Sequence, residues 1–368
     1  MGPAWMQVKG TVLLRAGPAG KEEKALQAAA KILQEGRLVA FPTETVYGLG
    51  ANAFDRGAVA KIFEVKNRPM DKPLIVHLAD LQQAGLFVED MPPAVVRLAQ
   101  QFWPGPLTLV LPKNKDVPQI ITGGLSSVAV RVPAHPLALG LIRKAGFPLV
   151  APSANLSGRP SPTTAAHVLD DLAGRIAAVL DGGPCPIGLE STVLSLISSP
   201  PVLLRPGGIE LAELEGVYGS KILEKRDESE VVSPSSGQQY KHYAPRVPLY
   251  LVEGAGSGLR RRLIALSENL IGEGHRVGVI LFAESQGDSL SPVASFFASP
   301  SHRLVVETPG PRGDPRGAAE RLFGVLRGME KKEVDVIVVE ALAEEGIGRA
   351  VMDRLRKAAT KIIRADTE

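Results

Sequence analysis

The feature that most constrains the fold is a series of short apolar runs, each followed at once by a loop rich in proline, glycine and polar residues. The clearest example is the run at residues 38–40, which predicts a buried strand and leads into residues 41–50. That second stretch holds two threonines, a carboxylate, a tyrosine and two glycines. Because loops that follow rigid strands often carry chemistry, it is a candidate functional segment. An ordinary polar turn is the alternative interpretation.

The first part of the chain alternates helical and strand patterns. Residues 21–34 and 93–102 have helical composition and spacing, and between them Asp55 can cap a second helix that runs to about Val65. We predict an α/β domain with a mixed, twisted sheet. Its strands are expected at residues 37–41, 74–78, 107–111, 128–132 and 149–151.

The second part begins after a change in composition. A charged run at residues 224–230 is followed by a stretch rich in serine and glutamine, which cannot bury a core and predicts a linker. From residue 246 onward, strands alternate with helices, which predicts a small three-layer domain with a mainly parallel sheet. The expected organisation is a domain at 1–208, a linker at 209–245 and a second domain at 246–368. The predicted strands are 248–252, 277–282 and 334–339, and the predicted helices are 258–270 and 318–329.

Composition excludes several classes of protein. Cys185 is the single cysteine, so no disulfide framework and no cysteine-rich zinc site can form within one chain. A net charge of +3 permits an anionic ligand without establishing nucleic-acid binding. The sequence shows no signal-peptide pattern and no apolar run of membrane-spanning length. We therefore expect a cytoplasmic protein that does not enter a membrane.

Several cations are placed where an anionic ligand could meet them. Lys61, Lys66, Arg68 and Lys72 lie at a helix end and in the loop after it, which would suit a phosphate clamp. A solvated basic helix end is the alternative. Arg131 lies between apolar residues of a strand, where a buried charge needs a carboxylate from the protein or from a ligand.

Two other polar features are candidates for a binding site. His77 lies inside an apolar strand, where it is either packed and hydrogen-bonded or able to orient a substrate group. Residues 151–163 form a proline-braced loop of hydroxyls, an amide and a guanidinium, which suits phosphate or ribose oxygens. The alternative for that loop is an ordered turn leading to a helix capped near Thr163. No GxSxG elbow and no P-loop occurs in the sequence.

Seven short motifs stand out along the first part of the chain, at residues 41–50, 66–69 with 72–74, 103–108, 130–133, 151–158, 191–193 and 205–207. They occur in the order found in the YrdC-like domain, which this part of the chain resembles. Residues 240–245 and the second domain are similar to the long, two-domain threonylcarbamoyl-adenylate synthases. The resemblance implies an α/β fold: a YrdC-like twisted mixed-sheet domain with a large concave cavity, followed by a smaller Rossmann-like three-layer domain.

The resemblance also implies a reaction and its participants. A nucleotidyltransferase of this family condenses L-threonine, bicarbonate or CO2 and ATP into threonylcarbamoyl-AMP and pyrophosphate. Mg²⁺ is expected to bind through the phosphates, with no metal site built by the protein. A downstream threonylcarbamoyl transferase machinery uses the product, tRNA is the indirect target, and direct RNA binding is expected to be weak.

Site residues are carried over from the family motifs, with no acid, base or nucleophile assigned. The residues expected around threonine are Thr45, His77, Arg131, Ala151 and Ser191. The residues expected around ATP are Lys66, Arg68, Lys72, Ser127, Ser153, Asn155, Ser161, Arg205 and Tyr243.

In the family the linker crosses the mouth of the cavity, which here predicts a lid. The family's Ser-Pro-Gly-Met reads Ser-Ser-Gly-Gln at residues 235–238, so polar residues replace the proline and the methionine, while residues 240–245 remain intact. A double-stranded RNA-binding module is the alternative function, and a carbamoyl-phosphate-dependent maturation enzyme is excluded by the single cysteine.

Residues 346–350 resemble a weak dinucleotide fingerprint, and we predict a tight strand-to-helix turn there with no nicotinamide cofactor.

Overall fold

A computed structural model describes residues 5–17, 21–224, 242–283 and 303–365. The chain divides into two compact units, one formed by residues 1–157 with 161–236 and the other by 158–160 with 237–368. Each unit has its own sheet. Residues 225–241 of the predicted linker lie outside the described residues.

The first unit contains a 12-stranded mixed sheet, which confirms the predicted fold class. The strands are β1 (Trp5–Val8), β2 (Thr11–Arg15), β3 (Val39–Phe41), β4 (Gly48–Asn52), β5 (Ile75–His77), β6 (Leu107–Pro112), β7 (Ser127–Arg131), β8 (Leu149–Val150), β9 (Ala178–Asp181), β10 (Thr192–Ser195), β11 (Val202–Arg205) and β12 (Leu223–Glu224). Their order in the sheet is β1-β2-β9-β3-β4-β8-β5-β7-β6-β10-β11-β12. Neighbours such as β5 and β7 are parallel, whereas β3 and β4 are antiparallel.

Helices and a short 3-10 turn (Gln82–Leu86) connect these strands. The side chain of Asp55 accepts a hydrogen bond from Ala58 N at 3.0 Å and so caps the second helix, as predicted. That helix ends at Asn67, whose φ of 50° turns the chain sharply. The helices are α1 (Lys21–Gln34), α2 (Arg56–Lys66), α3 (Pro93–Phe102), α4 (Gln119–Thr122), α5 (Pro136–Ala145), α6 (Ala165–Leu172) and α7 (Leu211–Tyr218).

One predicted loop is partly a strand. Residues 48–52 form β4, which pairs with β3 so that Phe41 lies opposite Gly48, and the loop proper is reduced to residues 42–47. A side chain at Gly50 would place Cβ 2.9 Å from Cε1 of Phe41. Glycine is needed there because the strand passes close to an aromatic ring, and this requirement makes the strand resemble a loop in sequence.

Both faces of the central strand β3 are buried. Phe41 packs with Leu33 of α1 and Leu141 of α5, whereas the neighbouring Ala40 packs in a second cluster that includes Phe63 of α2. Alternate residues of β3 therefore enter opposite layers. This double packing fixes the strand ends from which the candidate loops emerge.

The second unit contains a five-stranded sheet in which all the paired strands are parallel, which confirms its predicted character. The strands are β13 (Leu249–Glu253), β14 (Val277–Ile280), β15 (Leu304–Glu307), β16 (Val336–Glu340) and β17 (Lys361–Arg364), and the helices are α8 (Gly256–Gly272), α9 (Pro315–Lys331) and α10 (Gly348–Ala358). The order of the strands in the sheet is β15-β14-β16-β13-β17. Two of them, β15 and β17, were not predicted.

The dinucleotide-like residues 346–350 lie at the start of α10. A Cβ at Gly348 would lie 2.3 Å from the carbonyl oxygen of Ala343, so the tight turn by itself accounts for this glycine. None of the helices in the described ranges is long and apolar enough to span a bilayer.

Candidate active site

His77 and Arg131 lie side by side at the ends of two central strands. They are register partners on the parallel strands β5 and β7, and both side chains are buried. His77 Nδ1 lies 3.3 Å from the carbonyl oxygen of Ile75. Burial, reinforced by the charge of Arg131, lowers the pKa of His77 to about 3. The imidazole is therefore neutral at pH 7.

The guanidinium of Arg131 joins this strand to the loop at residues 42–47. Nε donates to the carbonyl oxygen of Gly105 at 3.1 Å, and Nη1 donates to Thr45 Oγ1 at 3.0 Å. Nη2 lies 2.6 Å from Glu44 Oε1. The structure thus brings Thr45, His77 and Arg131 into one cluster and shows a protein carboxylate beside the buried cation.

Thr43 fixes the conformation of this loop. Its Oγ1 accepts hydrogen bonds from the backbone N–H groups of Thr45 and Val46, both at 3.2 Å, and donates to the carbonyl oxygen of Val46 at 2.7 Å. Such a hydroxyl turn replaces backbone hydrogen bonds that a regular element would supply. It holds Thr45 in place in front of Arg131.

Tyr47 ties the same loop to the segment after β9. Its hydroxyl donates to the carbonyl oxygen of Gly183 at 2.8 Å and accepts from Gly182 N at 3.3 Å. Burial raises the pKa of Tyr47, so the phenol stays protonated and acts as a brace.

Backbone hydrogen bonds join residues 42–50 to the loop at residues 151–163. Tyr47 N donates to Pro162 O at 2.8 Å, and Leu49 N donates to Pro152 O at 2.7 Å. Ala151, predicted beside threonine, is buried at the start of this second loop. The two segments form one connected wall.

Lys66 is buried against that second loop. Its ammonium donates to the carbonyl oxygens of Ser153 and Asn155. Burial, with a smaller contribution from the charge of Arg68, lowers the pKa of Lys66 to about 7. The structure therefore gives Lys66 a direct contact with the loop, while its contact with ATP stays a prediction.

Three other residues that are predicted to contact the nucleotide are more exposed to solvent than Lys66. Arg68 is partly exposed, and its Nη2 donates to the carbonyl oxygen of Pro73 at 3.0 Å. Lys72 is also partly exposed. Ser127 begins β7 opposite Pro112 and is partly exposed. Their predicted nucleotide contacts stay predictions.

A second polar cluster forms where β10 begins and β11 ends. Ser191 Oγ lies 2.8 Å from Thr108 Oγ1, and Arg205 Nη2 donates to Ser191 Oγ at 3.1 Å. Ser161 donates to the carboxylate of the neighbouring Glu190. Thr108 was missed as an individual site residue, although it lies in the motif at residues 103–108.

Gly207 allows the two chain segments that form this second cluster to pack closely against each other. A Cβ at this position would lie 2.3 Å from Thr192 N and 2.7 Å from the carbonyl oxygen of Glu190. Backbone approaches backbone here, and any side chain would separate the two segments.

Tyr243 belongs to the second unit. Its φ is 61°, its ring stacks on Phe323 with centroids 5.6 Å apart, and the guanidinium of Arg354 lies 5.4 Å from its centroid. Its predicted contact with the nucleotide stays a prediction. The altered linker residues 235–238 lie outside the described residues.

The described residues contain no group of three or more His, Cys, Asp or Glu side chains arranged to hold a metal ion. Glu44 and Glu190, the buried carboxylates of the two clusters, contact Arg131 and Ser161. Binding of Mg²⁺ through ligand phosphates stays a prediction.

A basic cavity of about 460 Å³ is present elsewhere in the first unit. None of the predicted site residues lines it. Its lining residues are Arg56, Lys113, Lys115, Asp116, Val117, Gln119 and Ile120.

Fold and site together define a class of protein. Residues 31–207 match the family model described as "Telomere recombination", which groups the Sua5, YciO and YrdC proteins. Residues 209–360 match "Threonylcarbamoyl-AMP synthase, C-terminal domain". The chain is thus a two-domain protein of the YrdC-like class.

Relatives and a solved structure narrow this class to one family. The chain is 46% identical over 339 residues to the threonylcarbamoyl-AMP synthase of Pyrococcus abyssi, covering 92% of this chain and 94% of the relative. It is 46% identical over 333 residues to that of Bacillus subtilis, covering 90% and 92%. A crystal structure of P. abyssi Sua5 complexed with L-threonine matches 96% of this chain and 99% of its own, with a TM-score of 0.85 and 44% identity. The chain belongs to the threonylcarbamoyl-AMP synthase family.

Proposed function

We propose that the protein condenses L-threonine, bicarbonate or CO2 and ATP into threonylcarbamoyl-AMP and pyrophosphate. The observation that carries the proposal is the buried cluster of Thr45, His77 and Arg131, which offers a cation and polar groups at one place. Support comes from family membership and from the relative that binds L-threonine.

Arg131 is the group that would hold the threonine carboxylate. A guanidinium matches a carboxylate in charge and in planar geometry, and only two of its N–H donors hydrogen-bond to described protein atoms, Gly105 O and Thr45 Oγ1. The neutral ring of His77 can exchange a hydrogen bond with the threonine hydroxyl without adding charge next to Arg131. Ala151 and Ser191 would complete the subsite.

The nucleotide would lie against the basic and hydroxyl-rich segments. Arg68, Lys72 and Arg205 supply positive charge for a triphosphate, and short side chains supply hydrogen bonds to its oxygens. Arg205 also touches Ser191 of the threonine subsite, so the two substrates would meet at this contact. The other proposed contacts are Lys66, Ser127, Ser153, Asn155, Ser161 and Tyr243.

The chemistry is a nucleotidyl transfer. A carbamate oxygen of N-carboxythreonine attacks the α-phosphorus of ATP, a new P–O bond forms, and the bond to the oxygen bridging to the β-phosphate breaks. Pyrophosphate leaves with that electron pair. The protein contributes position and charge neutralisation, which are the main contributions in phosphoryl chemistry. Mg²⁺ bound through phosphate oxygens would add positive charge there.

The product is a mixed anhydride that water hydrolyses. A downstream transferase acting on tRNA would consume it, which makes tRNA an indirect target of this protein. A cover formed by the linker would protect the product from water before release.

The test is incubation of the full chain with ATP, L-threonine, bicarbonate and Mg²⁺, followed by measurement of pyrophosphate and mass spectrometry of the adenylate. We expect pyrophosphate release that requires threonine. Release that is independent of threonine, or no release with all components present, would contradict the proposal.

A further inference from the structure

We propose that Glu44 recognises the ammonium group of the amino-acid substrate. This inference rests on the proposed function, because it assigns the residue that selects an amino acid in the same subsite. Glu44 lies in the motif at residues 41–50, and the family resemblance assigns it no such role.

The starting observation is a buried carboxylate whose hydrogen bonds are incomplete. Glu44 is 7% exposed, and its Oε1 lies 2.6 Å from Arg131 Nη2. The contact is close enough for an ion pair, but its angles do not make a hydrogen bond. Among the described residues, neither carboxylate oxygen has a hydrogen-bond partner.

A buried carboxylate in this condition is costly to the folded protein. An ionised carboxylate can accept about four hydrogen bonds, and leaving a buried charged group unsatisfied costs free energy of folding. A second donor at Glu44 would therefore be favourable. Arg131 also has unused donors, since its Nη2 makes no hydrogen bond to described atoms.

The two unsatisfied groups have opposite charges and lie next to each other. A free amino acid carries a carboxylate and an ammonium group on the same carbon atom. Its carboxylate would hydrogen-bond to Arg131, and its ammonium would supply the donors that Glu44 lacks. The pair thus complements a zwitterion, whereas a plain hydroxy acid would satisfy Arg131 alone.

Loop geometry supports a defined position for this carboxylate. The backbone carbonyl oxygen of Glu44 accepts a hydrogen bond from Ile187 N at 2.9 Å. The next residue, Thr45, is fixed by Thr43 and by Arg131. Glu44 is therefore held on both sides by the same loop that carries the predicted threonine contact.

The competing explanation is that Glu44 merely holds Arg131 in place. Under that explanation, removing the charge of Glu44 would weaken every ligand that uses Arg131. Under our proposal, it would weaken only ligands with an ammonium group. A ligand pair that differs in this group separates the two roles.

The experiment measures equilibrium binding of two ligands by calorimetric titration of the full chain. L-threonine is compared with (R)-3-hydroxybutyrate, which keeps the carboxylate, hydroxyl and methyl groups but has no ammonium. For Glu44→Gln we expect threonine affinity to fall about tenfold or more, as for loss of a buried charged hydrogen bond. The affinity of (R)-3-hydroxybutyrate should stay the same or increase.

The controls keep the outcomes separate. Glu64→Gln removes an exposed carboxylate of α2 and should change neither affinity. Glu44→Asp keeps the charge, and it should keep a preference for threonine even if Glu44→Gln does not fold. A parallel loss of both ligands in Glu44→Gln, or unchanged threonine binding, would overturn the inference. Failure of the unmodified protein to bind threonine would instead count against the proposed function.

Discussion

Arg205 holds Ser191 with two hydrogen bonds. Its Nε lies 3.0 Å from the carbonyl oxygen of Ser191, and its Nη2 lies 3.1 Å from Ser191 Oγ. One residue is predicted to contact the nucleotide and the other to contact threonine. The contact therefore joins the two proposed subsites directly.

We expect substitutions at these two residues to be non-additive. Arg205→Lys removes the guanidinium that donates both hydrogen bonds, and Ser191→Ala removes the hydroxyl that accepts one of them. Residues in direct contact usually show a coupling free energy of about 0.5–3 kcal/mol. A double-mutant cycle on threonine and ATP affinities measures it. Strictly additive effects on both ligands would show that the subsites are independent.

Arg131→Lys should weaken threonine binding by about 10- to 100-fold, because a point charge cannot replace a two-pronged guanidinium contact. ATP affinity should change little. Titration calorimetry measures both, with Arg143→Lys on the exposed end of α5 as the matched control. Equal losses for threonine and ATP would point to a general disturbance of the site.

Arg131→Ala should also destabilise the fold. It leaves Glu44 buried without its cation, a change that typically lowers the free energy of unfolding by about 3–5 kcal/mol. Adding Glu44→Gln should recover part of that loss. Urea denaturation of the single and double variants measures the difference. If the double variant is less stable than Arg131→Ala, the buried pair is not the cause.

Lys66 should make the free energy of unfolding depend on pH in the neutral to alkaline range. Burial lowers its pKa from 10.5 to about 7, so between these values the unfolded chain binds a proton that the folded protein does not. The free energy of unfolding should therefore rise with pH across this window, by up to about 1.4 kcal/mol per pH unit. Urea denaturation at pH 7, 8 and 9 should show a smaller rise in Lys66→Met. Lys61→Met, which removes an exposed lysine bonded to Gly36 O, should keep the slope of the unmodified protein.

His77 should make the free energy of unfolding depend on pH in the acidic range. Its pKa of about 3 lies below the ordinary value of 6.5, so the unfolded chain binds the extra proton between these values. The free energy of unfolding should fall as the pH decreases from 6.5, by up to about 1.4 kcal/mol per unit. His77→Gln should lose less stability over the same range. Histidine NMR signals that titrate near pH 6.5 in the folded protein at this residue would contradict the argument.

The lid hypothesis predicts that deletion of residues 235–243 greatly slows formation of the adenylate, because the cavity would then stay open to water. Product yield over time, measured by mass spectrometry, tests this. Tyr243→Phe keeps the stacking on Phe323 and serves as the milder comparison. An unchanged yield in the deletion variant would remove the lid from the mechanism.

Local patterns predicted many elements well. Helix α1 was predicted with the observed bounds because alanine and leucine recur at helical spacing, and Asp55 was correctly assigned as a helix cap. These signals depend on neighbours in the sequence. Strand β4 was partly missed because its Gly50 is required by the ring of Phe41, which lies on the paired strand β3.

The site was harder to predict than the fold. Lys66 is buried against the carbonyl oxygen of Ser153, which lies 87 residues further along the chain. No pattern in the sequence near Lys66 indicates this contact. The sequence showed that Glu44 is a carboxylate in a loop. Its proposed role, however, depends on its contact with Arg131, which belongs to a strand far away in the sequence. Sequence reasoning names the chemical groups, whereas only the fold decides which of them face each other.

Gly207 has a consequence for redesign of the substrate range. The segments that carry Ser191 and Arg205 touch through their backbones, with no side chain between them that could be shortened. Variation at residue 207 would separate these segments and would not enlarge the subsite. A library aimed at a bulkier amino acid should therefore vary side chains such as His77 and leave the glycine unchanged.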